Sequence, residues 1–370
     1  MIPPNLHLCF VTEVDLTKIG GAVTTDQRMI HCLSKLGSVN VVYMQKTRFK
    51  SMTLALLVFM FMLLKNLSKH HKVYFSRGLF PSTILLLLRP FGHYKILHHA
   101  LSVPLPSREV YFLPHSVFET IIRYHFFRFL ERYTLPKVDG IIVASPEYQD
   151  ILADFGVEKT KIQVIPFTVE DAFFKQPLKE ELGEIFSFCY AGRFHLYHVL
   201  VPLVQAFELA VQKGVNAELL LVGDGPLRSQ VDKEAAHRNL LSKVKFTGMI
   251  PHDAFPSFLS KVDCFVLMSR APGMPIGILE AAAAAKAIVT LNRKNDEALR
   301  RYFTHEKDIY LVETCSPTQI ANAMQVLYED SQLRRTLAQG ARKVAVQHFS
   351  EQAVVPKLQG IINKELGASF

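Results

Sequence analysis

The chain has 370 residues, of which 49% are hydrophobic, too long for one ordinary core, so two domains are expected. Charged residues at 20%, with abundant Leu, Val, Ile and Phe, exclude a disordered chain. Five widely spaced cysteines without a C-x-x-C pair exclude a disulfide framework and a cysteine zinc site. The 42 Lys and Arg outnumber the 33 Asp and Glu, a net charge of +9, which favours an anionic partner: nucleic acid, anionic lipid or a phosphorylated substrate.

The apolar run Leu6–Thr12 reads as a buried strand rather than a secretory leader. With the cysteines read as small buried hydrophobes, it points to a cytoplasmic protein. A Gly20-Gly21 loop follows, then a helix over Ala22–Leu36, with Met29, Ile30, Leu33 and Leu36 on one face, and a strand at Val39–Tyr43. Met52–Leu64 has Thr53 as its only polar residue, but a membrane span needs about 20 residues, and Lys50 and Lys65 bound the run. A buried or interfacial helix is the expectation. Short apolar strands are expected at Lys72–Ser76, Tyr94–His98 and Gly140–Ala144, and Thr83–Leu88 reads as core. Residues 159–185, with a strand at Ile162–Pro166 followed by a polar stretch, form the best linker.

A second series then begins. Strands are expected at Ser187–Ala191, Ala217–Val222, Lys243–Thr247, Cys264–Met268 and Ala287–Leu291. Helices are expected between them at Leu200–Lys213, Leu227–Arg238, Ala254–Ser260 and Ile276–Ala285. Strands alternating with helices imply two α/β domains, each with a parallel sheet covered on both faces.

Parallel sheets of this kind bind ligands where strands lead into helices at their C-terminal ends. Five junctions stand out. Gly20-Gly21 is either a flexible turn or a place where backbone N–H groups approach an anion. Arg193, straight after a strand, is either a surface side chain or a fork for phosphate oxygens. Gly223-Asp224-Gly225-Pro226 reads as a tight turn opening a helix. Gly273, Met274, Pro275 and Gly277 lead into a helix whose first N–H groups suit a phosphate, and Glu280, a turn inside it, could accept from two vicinal ribose hydroxyls or simply favour the helix dipole. His98-His99 at a strand tip offers an imidazole to a sugar hydroxyl or a developing oxyanion, or is an ordinary loop pair. The sequence contains no metal-binding His/Glu pattern, Walker loop, G-x-G-x-x-G or nucleophile motif.

Taken in order, these junctions resemble the nucleotide-sugar domain of glycosyltransferase family 4. The matching segments are Ala191-Gly192-Arg193, Leu221–Leu227, Val244–Gly248, Asp263–Ser269 and Pro275–Ala281. Gly20-Gly21-Ala22, Ala144-Ser145 and Lys161–Pro166 match more weakly, and the stretch 45–135 least. The resemblance implies the GT-B fold: two Rossmann-like domains facing each other across a deep cleft. The first, 1–170, would bind the acceptor and the second, 171–345, the nucleotide sugar, with a C-terminal helix in 346–370 packing back toward the first. It implies a retaining transfer from a nucleotide sugar, a UDP- or GDP-sugar, to a glycan or lipid-linked acceptor, with no obligate cofactor or metal. By position Arg193 would bind the donor diphosphate, and Glu280 the ribose. Backbone at Met274, Pro275, Ile276 and Gly277 and at Gly20 and Gly21 would cradle phosphates, and Gly248-Met249-Ile250 would border the base. His99, or His98 in the alternative register, would be the active-site histidine.

The sequence departs from the family pattern at several positions. The first Glu of a Glu-x7-Glu pair is Pro272, leaving only Glu280. A diphosphate-binding Lys is His198, a poorer clamp than an ammonium. An Asn-Gly after Pro166 is Phe167-Thr168, a Gly-Lys-Pro run is Ala285-Lys286-Ala287, and a Gly-Gly loop is absent from Leu291–Asp296. These losses motivate a second reading, a non-catalytic GT-B binding or scaffold protein. A GT-B epimerase would share the fold, and nucleic-acid binding lacks a recognised motif. The charge is also uneven. Residues 1–170 hold 19 Lys and Arg against 12 Asp and Glu, and the twelve basic residues between Asp26 and Glu109 have no acid among them. Beside the apolar Met52–Leu64 run, this suggests that the first domain docks peripherally on an anionic membrane, the inner face of the cytoplasmic membrane.

Overall fold

The computed structural model describes residues 6–17, 21–44, 52–67, 71–100, 117–179, 183–196, 199–270, 273–293 and 297–367. It divides into two compact units: Met1–Thr168 with Val354–Phe370, and Val169–Ala353.

The first unit runs β1 (His7–Thr12), α1 (Gly21–Ser34), β2 (Ser38–Tyr43), α2 (Met52–Leu67), β3 (Val73–Arg77), α3 (Leu79–Leu88), β4 (Lys95–Ala100), α4 (Val117–Thr134), β5 (Gly140–Val143), α5 (Glu147–Ala153) and β6 (Ile162–Val164). Its sheet has the order β2-β1-β3-β4-β5-β6 with every pairing parallel. The strands are near-continuous apolar runs because both faces are covered. Cys9, Val11, Tyr74, Ile96, Ile141 and Val143 point into one core layer, where Phe59 and Leu63 of α2 dock. Leu8, Phe10, Val73, Phe75, Leu97 and Ile142 alternate to the other face. There they meet Met29, Cys32 and Leu33 of α1, and Val354, Leu358, Ile361 and Ile362 from the C-terminal stretch.

The second unit contains α6 (Asp171–Phe174), β7 (Phe186–Ala191), α7 (Leu200–Gln212), β8 (Ala217–Val222), α8 (Arg228–His237), β9 (Val244–Gly248), α9 (Phe255–Ser260), β10 (Cys264–Leu267), α10 (Ile276–Ala283), β11 (Ala287–Leu291), α11 (Glu297–Arg300), β12 (Tyr310–Val312), α12 (Pro317–Glu329) and α13 (Ser331–Phe349). A last helix, α14 (Glu351–Glu365), then leads back into the first unit. The sheet order β12-β11-β10-β7-β8-β9 is fully parallel. The chain steps outward from β7 to β9, then jumps back to β10 and steps outward the other way. The strand order therefore reverses between β7 and β10, and that switch point opens a crevice at their C-terminal ends. The first unit reverses between β1 and β3 in the same way.

One expectation shifts and another holds. The strand expected at Tyr94–His98 runs to Ala100, because His99 and Ala100 are as buried as the apolar residues before them. The run Met52–Leu64 forms α2, and among the described residues no helix is long and apolar enough to cross a membrane. Four cysteines are buried free thiols and Cys315 is half-buried.

Candidate functional site

In the second unit, the loop after β7 carries Arg193. Tyr190 Oη donates to its carbonyl oxygen at 2.9 Å, and the His195 N–H donates to the same oxygen at 2.9 Å. Its side chain is exposed. The loop after β8 locks this one in place. The Phe194 N–H donates to the Asp224 carbonyl at 2.9 Å, and the Leu227 N–H donates back to the Phe194 carbonyl at 3.1 Å. Gly223, at φ 128°, lies so close that a Cβ there would sit 2.0 Å from the Gly192 carbonyl oxygen. The turn at Gly223–Pro226 thus supports the Arg193 loop.

β9 ends at Gly248, whose φ of 70° is left-handed and whose carbonyl accepts the Gly223 N–H at 2.8 Å. Met249 beyond it is 63% exposed, an apolar side chain standing in solvent. After β10, Gly273 at φ 84° and Met274 lead to Pro275, the extended residue before α10. Among the described residues no side chain caps that helix end, so its first N–H groups keep their partial positive charge for a ligand. Gly277 lets α10 sit tight on both switch-point strands: a Cβ would be 3.4 Å from the Ala191 carbonyl oxygen and from Leu267 Cδ1.

Glu280 is buried, 7% exposed, and its Oε1 lies 3.1 Å from His252 Nε2. His252 Nδ1 faces Glu170 Oε1 at 3.9 Å, and its ring stands edge-on to Phe173 at 5.7 Å. The ligand atoms of Glu170, His252 and Glu280 all lie within 4.8 Å of one another. A divalent cation could draw such a set together. Here the imidazole faces the two carboxylates with different nitrogens, hydrogen-bonded to Glu280 and only in a looser ionic approach to Glu170, an arrangement in line rather than a closed coordination shell. The sequence reading missed Glu170 and His252, because Glu170 lies 110 residues before Glu280 in the chain and no spacing rule connects them.

In the first unit, Gly21 opens α1, while Gly20 lies outside the described residues, as do His198 and Pro272. The two histidines of β4 diverge, as neighbours in a strand must. His98 Nδ1 is 2.7 Å from Ser82 Oγ, which in turn meets Ser76 Oγ at 2.6 Å. Burial pushes its imidazole down to about 4. His99 is held down to about 3 by burial, then by Arg77 and His98, so both rings are neutral at pH 7. His99 Nδ1 finds no hydrogen-bond partner among the described residues, and the ring lines a cavity of about 260 Å³ with Thr25, Arg28, Cys32 and Thr168. Beside it in the sheet register is Arg77. Arg77 pairs with the buried Asp26 at 2.5 Å and donates to the Ala22 carbonyl at 2.7 Å, while Thr12 Oγ1 donates to Asp26 at 2.8 Å. This network sits at the switch point between β1 and β3 and was invisible in the sequence. Burial outweighs Arg77 and Thr12, so the Asp26 carboxyl is held above its ordinary range.

The structure thus gathers Arg193, the Met274–Gly277 turn and Glu280 around the β7/β10 switch point, with Gly248 and Met249 at the end of β9 in the same unit. Gly21, His98 and His99 belong to the first unit.

The family description "Glycosyl transferases group 1" matches residues 170–344. Residues 170–344 are a group 1 glycosyl transferase domain. That domain coincides with the second unit, Val169–Ala353, and holds Arg193, Gly248, Met274–Gly277 and Glu280. Among relatives, the chain is 25% identical over 178 residues to an alpha-D-kanosaminyltransferase of Streptomyces kanamyceticus, 48% of this chain and 45% of that one. It is 26% identical over 181 residues to the alpha-monoglucosyldiacylglycerol synthase of Streptococcus pneumoniae, 46% of this chain and 41% of that one. The chain spans about half the length of the curated relatives it matches. In fold it is similar to Anabaena Alr3699/HepE, solved in complex with UDP, with a TM-score of 0.74 at 15% identity over 96% of this chain and 99% of that one. Two parallel six-stranded sheets covered by helices are the architecture of GT-B glycosyltransferases.

Proposed function

We propose that the chain is a retaining glycosyltransferase, taking a sugar from a nucleotide sugar, with uridine diphosphate as the carrier, to a glycan or lipid-linked acceptor at a membrane surface. The observation that carries this reading is the convergence of Arg193, the uncapped start of α10 and Glu280 on one switch point of the group 1 domain. Arg193 neutralises the diphosphate through its fork of donors. The first N–H groups of α10 add the positive end of the helix dipole, and Glu280 accepts from the ribose hydroxyls, held in place by His252. As the anomeric C–O bond to the diphosphate breaks, the bond to the acceptor oxygen forms on the same face. The acceptor proton passes to the departing phosphate oxygen, and the fixed cation and amides stabilise the charge that develops there. His99, with His98 as the alternative, is the histidine assigned to the sugar. Being neutral at pH 7, it acts as a hydrogen-bonding group rather than a cation.

The membrane part rests on the first unit. Phe126, Phe129 and Tyr133 share one side of α4 at 51%, 66% and 37% exposure, with Arg132 exposed beside them and Lys137 stacked 3.3 Å from the Tyr133 ring centre. Exposed aromatics beside basic side chains suit an anionic interface. A cytoplasmic, peripherally bound enzyme follows.

The test is release of UDP from a panel of UDP-sugars, with GDP-sugars beside it, by the purified full chain with lipid and glycan acceptors. Turnover that falls at least 100-fold in Arg193→Ala supports the reading. No nucleotide released from any donor would overturn it in favour of a non-catalytic binding protein.

A further inference from the structure

A second polar cavity, of about 450 Å³, lies in the group 1 domain at the other end of its sheet. Asp263 immediately precedes β10 and Lys286 immediately precedes β11, so both sit at the N-terminal ends of strands whose C-terminal ends hold the donor residues. Lys179, on the stretch leading to β7, and Ser331, Arg334 and Arg335, in the first two turns of α13, complete the polar lining.

The charges here do not balance. Four cations surround one carboxylate. That carboxylate is already engaged: Lys179 Nζ approaches Asp263 Oδ1 at 2.7 Å, and the Ser187 N–H and Oγ donate to its Oδ2 at 2.8 and 2.7 Å. Lys286 is 1% exposed. Its ammonium donates to the carbonyls of Ser260 at 3.1 Å and Val262 at 3.0 Å, two partners for three hydrogens. Burying a cation is costly unless it is paired. The strain registers on Lys286, which burial pushes down to about 8, with Lys179 and Arg342 pushing the same way against Asp263. Burial also holds Arg334 below its ordinary value. Arg334 also donates to the carbonyls of Leu327 and Tyr328 and lies over the Phe186 ring, and Lys179 donates to the Lys261 carbonyl at 2.7 Å. Carbonyls and a ring face hold these cations without neutralising them, whereas a dianion seated among them would relieve their mutual repulsion.

We propose that this cavity is a binding site for a phosphate group, free or as a phosphate monoester, separate from the nucleotide-sugar site. It does not depend on the glycosyl-transfer reading. The natural ligand is a small phosphorylated metabolite or inorganic phosphate, and binding at the strand N-termini would brace β10 and β11 from below.

The experiment is a ³¹P NMR titration of the full-length protein with inorganic phosphate, and in a second arm with glycerol phosphate, each repeated in saturating UDP. Saturable binding at one site per chain is expected, unchanged by UDP, and weakened at least five-fold in Arg335→Ala, whose exposed side chain can be removed without disturbing the buried Lys286. Tighter binding of glycerol phosphate than of phosphate assigns the site to a monoester, and the reverse assigns it to the free ion. Absence of saturable binding in both arms, equal affinity of wild type and of the Arg335→Ala and Lys179→Ala variants, or displacement by UDP would each overturn the proposal.

Discussion

Gly223→Ala is the substitution whose effect the structure dictates most directly. The new Cβ would lie 2.0 Å from the Gly192 carbonyl oxygen, far inside contact distance, and Gly223 holds a φ of 128° that side chains rarely adopt. Relief requires separating the loops after β7 and β8. That puts at risk the Gly192 N–H bond to the Val222 carbonyl (3.0 Å) and the Gly223 N–H bond to the Gly248 carbonyl (2.8 Å). Two hydrogen bonds at about 1 kcal/mol each and about 1–3 kcal/mol of backbone strain give a loss of roughly 3–5 kcal/mol. For a unit of this size each kcal/mol shifts Tm by about 2–4 °C, so a fall of roughly 6–20 °C is expected. Differential scanning calorimetry reads it, and because the Arg193 loop moves with Gly192, UDP affinity should fall as well. A variant with wild-type Tm and wild-type UDP binding would refute the idea that the Gly223 turn supports the Arg193 loop.

Other consequences can be checked together. His252→Ala removes a hydrogen bond to a carboxylate, worth about 1.5–3 kcal/mol, so UDP affinity should drop roughly 10-fold or more; tighter binding by calorimetry would instead make His252 a competitor for Glu280. His99 is neutral when folded and titrates near pH 6.5 when unfolded, so its contribution to stability is complete above that pH and is lost as pH falls toward about 3. Glu131, raised to about 7, works in the opposite sense over part of the range, so the informative quantity is a difference: His99→Asn should flatten the pH dependence of urea stability between pH 6 and 5 by about 1.4 kcal/mol per unit. Equal slopes would show that His99 is not held neutral. Phe126→Ser with Phe129→Ser should abolish flotation with anionic liposomes at unchanged Tm, and retained flotation would remove α4 from the docking surface.

The strands were legible because each is a short apolar run with flanking turn residues, and both faces of a parallel sheet are buried, so no alternation was needed to find them. The order of junction motifs carried the resemblance that the group 1 domain bears out. Less could be read where structure depends on distant partners. α4 mixes aromatic and basic residues round its circumference, leaving no clear stripe, and β12 is only three residues long. The fate of His98 and His99 depended on β4 continuing two residues further than its apolar run, which turned a presumed strand tip into buried strand. The Thr12–Asp26–Arg77 network needs β1, α1 and β3 to converge, and the Glu170–His252–Glu280 line joins three separate loops and helices. One departure from the family pattern acquired a physical meaning. Ala285, standing where the pattern has Gly, is left-handed at φ 50° and closes α10, with the Lys286 N–H on the Ala281 carbonyl and the Ala285 N–H on the Ala282 carbonyl.

The account rests on the β7/β10 switch point binding a nucleoside diphosphate. Isothermal titration of UDP into wild type, Arg193→Ala and Glu280→Ala addresses it directly. One saturable site in wild type, weakened at least 10-fold in each variant while their Tm values stay within a few degrees, is the predicted result. No UDP binding by folded wild-type protein, or equal affinity in all three, would contradict it.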